Sequence, residues 1–287
     1  MWRVRRGRRN GRPLNPSFNA RGDRDGRGRE AGTSVTFDWV FVVASVVAVT
    51  LMGLSKGGFA GLSVLSMPLM ALVLPPTQAA AIMLPILLLQ DVVSVAAYRR
   101  DWDARLLAII LPGAAIGTGL GYLFAARIHP AAVTLTVGMI AFLFAGRSLF
   151  FTKIVEGPPR PGRPAAGLFW ASVGGFTSFV SHSGSPPLQV FLLPLRLPPR
   201  LYAGVNTMYF AFANVMKVLP YFLLGQFSTD NLSISASLAP VAVLSALLGV
   251  WLVRRVSGER FYTIILWLTL GVGVKLIWDG ARGLGWV

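Results

Sequence analysis

Two lysines of this chain lie inside apolar segments, where an ammonium group needs a partner. Lys56 lies inside the first glycine-containing break, 53-GLSKGG-58, and Lys217 lies within the apolar segment 206–225. A charge at membrane depth is costly unless it is paired or hydrated, so such lysines are candidates for a functional role. Asn206 and Asn214 precede Lys217 at spacings that put all three on one helical face. Because amino and amide N–H groups are donors suited to a small oxyanion, these residues predict an anion-binding site.

A second polar cluster follows Gly174-Gly175 in the segment 166–195. Its candidate binding residues are Ser178, Ser181, His182, Ser183 and Ser185. Gly184 and Pro186-Pro187 are expected to end one half-helix and begin another. The N-terminus of the second half-helix would then offer N–H groups and a positive dipole end to an anion.

Two titratable side chains are candidates for proton coupling. His182 can be neutral or charged near physiological pH, and it lies within the second cluster. Asp91 follows Gln90 in the apolar segment 77–97. Asp91 could take part in proton coupling or balance a buried lysine. A structural ion pair near the helix end remains an alternative for Asp91, and a hydrogen-bonded structural role remains one for His182.

Glycines interrupt the first apolar unit of each half of the chain. The units are 44–74, with Gly57 and Gly58, and 166–195, with Gly174-Gly175. A broken helix exposes backbone groups that lipid cannot satisfy, so the break must be buried in protein or line a polar cavity. A matched pair of breaks in two halves is typical of the substrate site of a transporter. Gly57 and Gly58 therefore join the predicted binding residues.

The composition predicts an all-α polytopic membrane protein. Hydrophobic residues make up 54% of the 287 residues and charged residues 13%, and apolar runs near span length recur along the chain. The absence of cysteine excludes disulfides and thiolate chemistry, and only two histidines are present. We predict no metal, no cofactor and no catalytic residue. The partners expected are a small anionic substrate and the lipid bilayer, and a homo-oligomer remains an open alternative.

The net charge of +16 does not indicate a nucleic-acid partner, because much of it lies in one polar tail. Residues 1–36 hold ten arginines against three acidic residues, in a composition that favours disorder. The rest of the charge is spread over short loops. We therefore expect no nucleic-acid binding.

The remaining chain divides into two similar membrane repeats. We expect about eight transmembrane elements in two sets of four, each set opening with a broken or re-entrant element. The boundaries are a tail at 1–36, a first repeat at 37–151, a linker at 152–164, a second repeat at 165–280 and a C-terminal tail at 281–287.

Loop charges predict that the two repeats are inverted relative to each other. The connection 98–105 and the later connection 254–260 carry three arginines each, whereas 225–232 carries no lysine or arginine. Positive charges favour the cytoplasmic side. The charged connection joins the second and third elements in the first half, but the third and fourth in the second half. Equivalent loops are thus expected on opposite sides of the membrane.

These residues resemble the sulfite exporter TauE/SafE family of membrane permeases over about residues 37–280. The motifs that carry the resemblance in the first half are 57-GGFAG-61, Met67-Pro68-Leu69, the helix 77–100 with Asp101-Trp102 after it, and 111-LPGAAIGTGLG-121. Those of the second half are 174-GGFTSFVSHSG-184, Leu201-Tyr202-Ala203-Gly204, and Asn214 with Lys217 and Tyr221. The chain departs from the family pattern at 183-SGSPP-187 and in having His182, and this bears on the exact substrate.

The resemblance implies a secondary permease for small anions such as sulfite, sulfoacetate or related sulfonates. Alternating access and a multi-pass location in the cell membrane, inner or plasma, go with that function. Two other classes of protein are alternatives. An intramembrane enzyme would need a nucleophile and a base brought together, whereas Ser181, His182 and Ser183 are only sequence neighbours. A structural or assembly subunit is the other alternative.

Overall fold

The computed structural model describes residues 39–59, 61–124, 127–151, 162–223 and 225–287. The predictions for the tail 1–36 and for most of the linker 152–164 lie outside these residues. The described residues contain ten α-helices, one short 3-10 helix and no strand. The helices are α1 (Trp39–Lys56), α2 (Ser63–Ala71), α3 (Pro76–Ala97), α4 (Ala104–Phe124), α5 (Pro130–Phe150), α6 (Pro164–Ser181), α7 (Ser185–Leu192), α8 (Pro199–Leu223), α9 (Thr229–Val253) and α10 (Gly258–Gly283), with the 3-10 helix at Leu193–Leu195 between α7 and α8.

Six of the described helices are long and apolar enough to cross a membrane. They are α1, α3, α4, α5, α9 and α10. The all-helical polytopic fold predicted from composition is therefore confirmed, although six helices meet this standard rather than eight. Of the other two long helices, α8 has 25 residues but carries buried polar groups, and α6 has polar residues in its last turns.

The first apolar unit of each half contains a break between two helices, but the residues at the two breaks differ. In the first half, α1 ends at Lys56, and Gly58 takes a φ of 106°, a conformation that favours glycine. In the second half, α6 ends at Ser181 and α7 begins at Ser185. The expectation that Gly174-Gly175 breaks the second unit is wrong, because α6 continues through both glycines.

Those two glycines instead let neighbouring chain segments approach α6 closely. A Cβ on Gly175 would lie 2.7 Å from the carbonyl oxygen of Ala114 in α4, and one on Gly174 would lie 2.8 Å from the hydroxyl of Tyr209 in α8. Small residues allow this kind of close helix packing in lipid. A Gly-Gly pair inside an apolar segment thus marked a packing face rather than a break.

The most extensive helix contacts follow a pattern that relates the two halves of the chain. Helix α1 packs against α2 and α9, and α6 packs against α7 and α4. Helix α3 contacts both α8 and α9, whereas α4 contacts α8, and α5 pairs with α10. When α1 to α5 are matched in order to α6 to α10, the contacts of α1 with α2 and α9 correspond to those of α6 with α7 and α4. The contact of α3 with α9 corresponds in the same way to that of α8 with α4. The remaining contacts, α3 with α8 and α5 with α10, each join a helix to its own match.

The directions of the helices follow from contacts along their length. At one end of α3, Gln78 donates to the side-chain oxygen of Asn231 in α9, and at the other end Arg254 donates to the carbonyl of Ala97. Helices α3 and α9 are therefore parallel. Helix α8 begins where α3 ends, since a Cβ on Gly204 would lie 1.6 Å from the Asp101 carbonyl oxygen. The matched helices α3 and α8 consequently run in opposite directions.

The C-terminal helix extends further than predicted. Helix α10 ends at Gly283, so the predicted tail 281–287 begins inside it. Near its end, a Cβ on Gly280 would lie 2.5 Å from the backbone nitrogen of Leu135 in α5. This close packing against α5 holds the last turns in helical form.

Candidate functional site

The two helix breaks and the long helices α3 and α8 surround a small cavity of about 40 Å³. A cavity needs about 10–15 Å³ of this measure for one water molecule, so the space suits a ligand of only a few heavy atoms. The wall combines cationic, amide, hydroxyl and apolar side chains from α1, α2, α3, α6, α7 and α8. They are Met52, Ser55, Lys56, Ser63, Leu87, Ser178, His182, Ser185, Asn206, Phe210, Asn214 and Lys217.

One lysine of the wall is neutralised by a buried carboxylate. Lys56 Nζ donates to Asp91 Oδ1 at 2.5 Å, and Asn214 Nδ2 donates to Asp91 Oδ2 at 2.7 Å. All three residues are at most 5% exposed. A buried ion pair is tolerated when further hydrogen bonds satisfy its remaining atoms, as Asn214 does for Asp91 here. Both oxygens of Asp91 are thereby occupied, and the charge of Lys56 is compensated.

The other lysine is held by neutral oxygens. Lys217 Nζ donates to the carbonyl oxygen of Ser178 at 2.9 Å, to Ser178 Oγ at 2.8 Å and to Asn214 Oδ1 at 3.4 Å. Lys217 is only 1% exposed, and it forms no salt bridge with any residue that the structure describes. An ammonium group has three N–H donors, and three acceptors face it. Lys217 thus brings a buried positive charge to the cavity without a carboxylate partner.

Lys217 also closes the end of the broken helix α6. Ser178 lies in the last turn of α6, where carbonyl groups have no intrahelical partner. A lysine at this end satisfies a free carbonyl and complements the partial negative charge of the helix dipole. The same side chain therefore stabilises the break and faces the cavity.

Specific side chains form hydrogen bonds with the backbone at each break. His182 ends α6 in the left-handed region with a φ of 53°, and Thr177 Oγ1 donates to the Ser183 carbonyl at 3.3 Å across the break. At the first break, Thr207 Oγ1 donates to the Lys56 carbonyl at 3.4 Å. Backbone groups that lipid cannot satisfy are thus paired by protein side chains.

Two polar atoms of the wall have no protein partner in the described residues. They are His182 Nε2 and Asn206 Oδ1, and both atoms are buried. Most buried polar atoms are paired with protein or with ordered water, so an unpaired one calls for an explanation. Two such atoms in the wall of one small cavity are available to a ligand or to water.

Seven of the predicted binding residues line the cavity together. They are Lys56, Ser178, His182, Ser185, Asn206, Asn214 and Lys217. Asp91 was predicted to take part in proton coupling or to balance a buried lysine. Its ion pair with Lys56 has the geometry of a residue that balances a lysine.

The other four predicted binding residues are absent from the described wall. Ser181 donates to the Thr177 carbonyl, and Ser183 donates to the Ser181 carbonyl, so both hydroxyls satisfy main-chain groups. A Cβ on Gly57 would lie 2.1 Å from the Gly249 carbonyl oxygen, and Gly58 faces the ring of Phe261. These glycines shape the first break and pack its backbone.

The expectation of a row of free amides at the start of α7 needs correction. Ser185 is its first residue, and Pro186 and Pro187 follow at once. Because proline has no N–H, two of the donors expected there do not exist. The contribution of α7 to the wall is the side chain of Ser185.

Sequence reasoning missed five lining residues: Met52, Ser55, Ser63, Leu87 and Phe210. Ser63 is the first residue of α2, as Ser185 is of α7, and their hydroxyl oxygens lie 3.4 Å apart. Comparing the two halves would have found Ser63. The apolar members of the wall have no such signal in a chain that is 54% hydrophobic.

The apolar helices and the buried polar site between two helix breaks define a multi-pass membrane transport protein. Within that class, the chain belongs to the Sulfite exporter TauE/SafE family, whose model matches residues 45–276. This agrees with the resemblance noted in the sequence. No curated protein and no solved structure matches the chain significantly.

Proposed function

We propose that this permease carries a small sulfur oxyanion, such as sulfite or a short sulfonate, and binds it in the central cavity. The observation that supports this most is the placement of Lys217, a buried cation without a carboxylate partner, in the wall of a space of about 40 Å³. Asn206 and Asn214 flank it, and the hydroxyls of Ser178 and Ser185 add further polar groups to the wall. An oxyanion that replaced the long 3.4 Å contact of Lys217 with Asn214 Oδ1 would receive a charge-assisted hydrogen bond, and such bonds are strong with oxyanions.

We further propose that transport proceeds by alternating access between two inverted repeats. The antiparallel course of α3 and α8 and the matching helix pairings of the two halves support this arrangement. The wall residues Lys56, Asn206 and Lys217 are at most 5% exposed, so the site lies inside the protein rather than on its surface. Rocking of the repeats around a fixed midplane site would open it to each side in turn. The multi-pass fold and the family favour the cell membrane, inner or plasma, as the location.

Counterflow in proteoliposomes tests the substrate. Purified protein is reconstituted into vesicles loaded with unlabelled sulfite, and the entry of radiolabelled sulfite is followed. We expect transient accumulation of label in these vesicles and none in protein-free vesicles. Vesicles loaded with acetate serve as the matched control for carboxylates. Accumulation driven by acetate but not by sulfite, or by neither, would overturn the proposal.

A further inference from the structure

We propose that the site selects cargo with a single negative charge, with Lys217 as the cation that meets the cargo and Asp91 as a fixed internal anion that cancels Lys56. This rests on the proposed anion transport and specifies the charge of the transported form. For sulfite, it identifies the protonated monoanion rather than the dianion as the cargo.

The charge count of the site comes from three side chains on three helices. Lys56 on α1 and Asp91 on α3 form a buried ion pair that is neutral as a whole. Lys217 on α8 binds only uncharged oxygens, which belong to Ser178 and Asn214. With Lys217 in its ammonium form, which its three acceptors satisfy, the net charge of the described site is one positive unit, located at Lys217.

The other elements around the cavity add no full charge. Helices α2 and α7 contribute the hydroxyl groups of Ser63 and Ser185, and the break after α6 contributes His182. The buried Nε2 of His182 has no acceptor in the described residues, and the carboxylate of Asp91 is already taken by Lys56 and Asn214. An imidazolium would need an acceptor at Nε2, and none faces it in the part of the chain that the structure describes, whereas three acceptors face the ammonium of Lys217. This environment therefore favours a neutral His182 beside a charged Lys217.

A cargo with one negative charge leaves the closed site neutral, whereas a dianion leaves one uncompensated negative charge. Uncompensated charge in a buried site carries a large desolvation cost. Asp91 cannot relieve this cost by moving away, because both of its oxygens are held at 2.7 Å or less by Lys56 and Asn214. The Asp91 carboxylate therefore reduces the negative charge of the anion that the site can bind.

Methanesulfonate and sulfate are suitable probes of this selectivity. Both are tetrahedral and of similar size, and they differ in replacing a methyl group by a charged oxygen. In the wild-type protein we expect methanesulfonate to compete with sulfite uptake at concentrations at least about tenfold lower than sulfate, a difference of about 1.4 kcal/mol in binding. Equal competition by the two anions would overturn the charge selection and leave anion transport intact. Failure of sulfite uptake itself would overturn the proposed function instead.

Three variants change the net charge of the site in steps. Asp91→Asn raises it to +2 and should move the preference at least about tenfold toward sulfate. The double variant Lys56→Gln with Asp91→Asn returns it to +1 and should restore the preference for methanesulfonate. Lys56→Gln alone lowers it to zero and should weaken competition by both anions.

A matched control pair lies outside the cavity on α10. Lys275 pairs with Asp279, and the side chain of Lys275 is 40% exposed. Lys275→Gln changes the charge of the whole protein by the same amount as Lys56→Gln and should leave the preference unchanged. If Lys275→Gln shifted the preference between methanesulfonate and sulfate as much as the cavity variants do, the charge of the cavity could not be what sets that preference. If Asp91→Asn does not fold, the double variant and the wild-type protein still test the proposal. A preference for sulfate over methanesulfonate in either of them contradicts it.

Discussion

Asp91 and Asn214 meet in the protein interior, where Asn214 Nδ2 donates to Asp91 Oδ2 at 2.7 Å. Each lies 15 residues after the first residue of its helix, since α3 begins at residue 76 and α8 at residue 199. The two residues thus occupy matching positions in the two halves and contact each other directly. In one half the position carries a carboxylate and in the other its neutral amide counterpart.

The same comparison gives the counterpart of Lys217. Ser94 in α3 and Lys217 in α8 both lie 18 residues after the start of their helices. The first half therefore contributes an anion at one position, and the second half contributes a cation one turn further along the matching helix. This divergence makes the cavity polar and asymmetric in charge.

Replacing Lys217 by glutamine should reduce sulfite uptake strongly. Removing one charged partner from a buried contact typically costs about 2–5 kcal/mol, so we expect a loss of about 30-fold or more in kcat/KM. Uptake into proteoliposomes measures this loss, with Lys275→Gln as the control. Thermal unfolding in detergent separates the binding role from the capping of α6. A folded Lys217→Gln protein with normal uptake would refute the assignment.

Single removal of either member of the Lys56–Asp91 pair should destabilise the protein more than removal of both. Leaving one buried charge uncompensated costs about 3–5 kcal/mol, whereas the neutral double variant avoids that cost. Unfolding of Lys56→Gln, Asp91→Asn and the double variant in detergent forms a complete cycle. Additive losses across the cycle would show that the two side chains do not interact.

Two glycines of α4 offer a test of the close helix packing. A Cβ on Gly117 would lie 1.9 Å from the Ser172 carbonyl oxygen in α6, whereas one on Gly119 would meet no atom within 4 Å. Gly117→Ala should lower stability by about 1–3 kcal/mol through overpacking. Gly119→Ala should be neutral or slightly stabilising, because alanine favours helix. The unfolding temperatures of the two variants measure this difference. Equal values would contradict the close approach of α4 to α6 at Gly117.

The helix directions predict which loops share a side of the membrane. Arg254 donates to the carbonyl of Ala97, so the loops after α3 and α9 lie together. The chain has no cysteine, and single cysteines can be introduced without further changes. Cysteines at Arg100 and Ser257 should react with a membrane-impermeant maleimide from one side, and those at His129 and Ser228 from the other. Labelling of all four from one side would exclude the antiparallel course of α3 and α8.

Composition, motifs and residue spacing were enough to predict the membrane class, the family resemblance and much of the cavity wall. Long apolar runs have few structural alternatives, since lipid requires helices whose backbone groups pair internally. A lysine or asparagine among apolar residues is conspicuous for the same reason. Lys56, Asn206, Asn214 and Lys217 could therefore be named from the sequence, and all four line one cavity.

The pairing of the polar groups could be seen only once the helices were packed together. Asp91 lies 35 residues from Lys56 and 123 from Asn214, and no periodicity within a segment encodes such contacts. The same holds for the role of Gly174-Gly175, because whether glycine ends a helix or admits a neighbour depends on what packs against it. The charge that the site presents follows from these long-range contacts, which arise where separate helices cross.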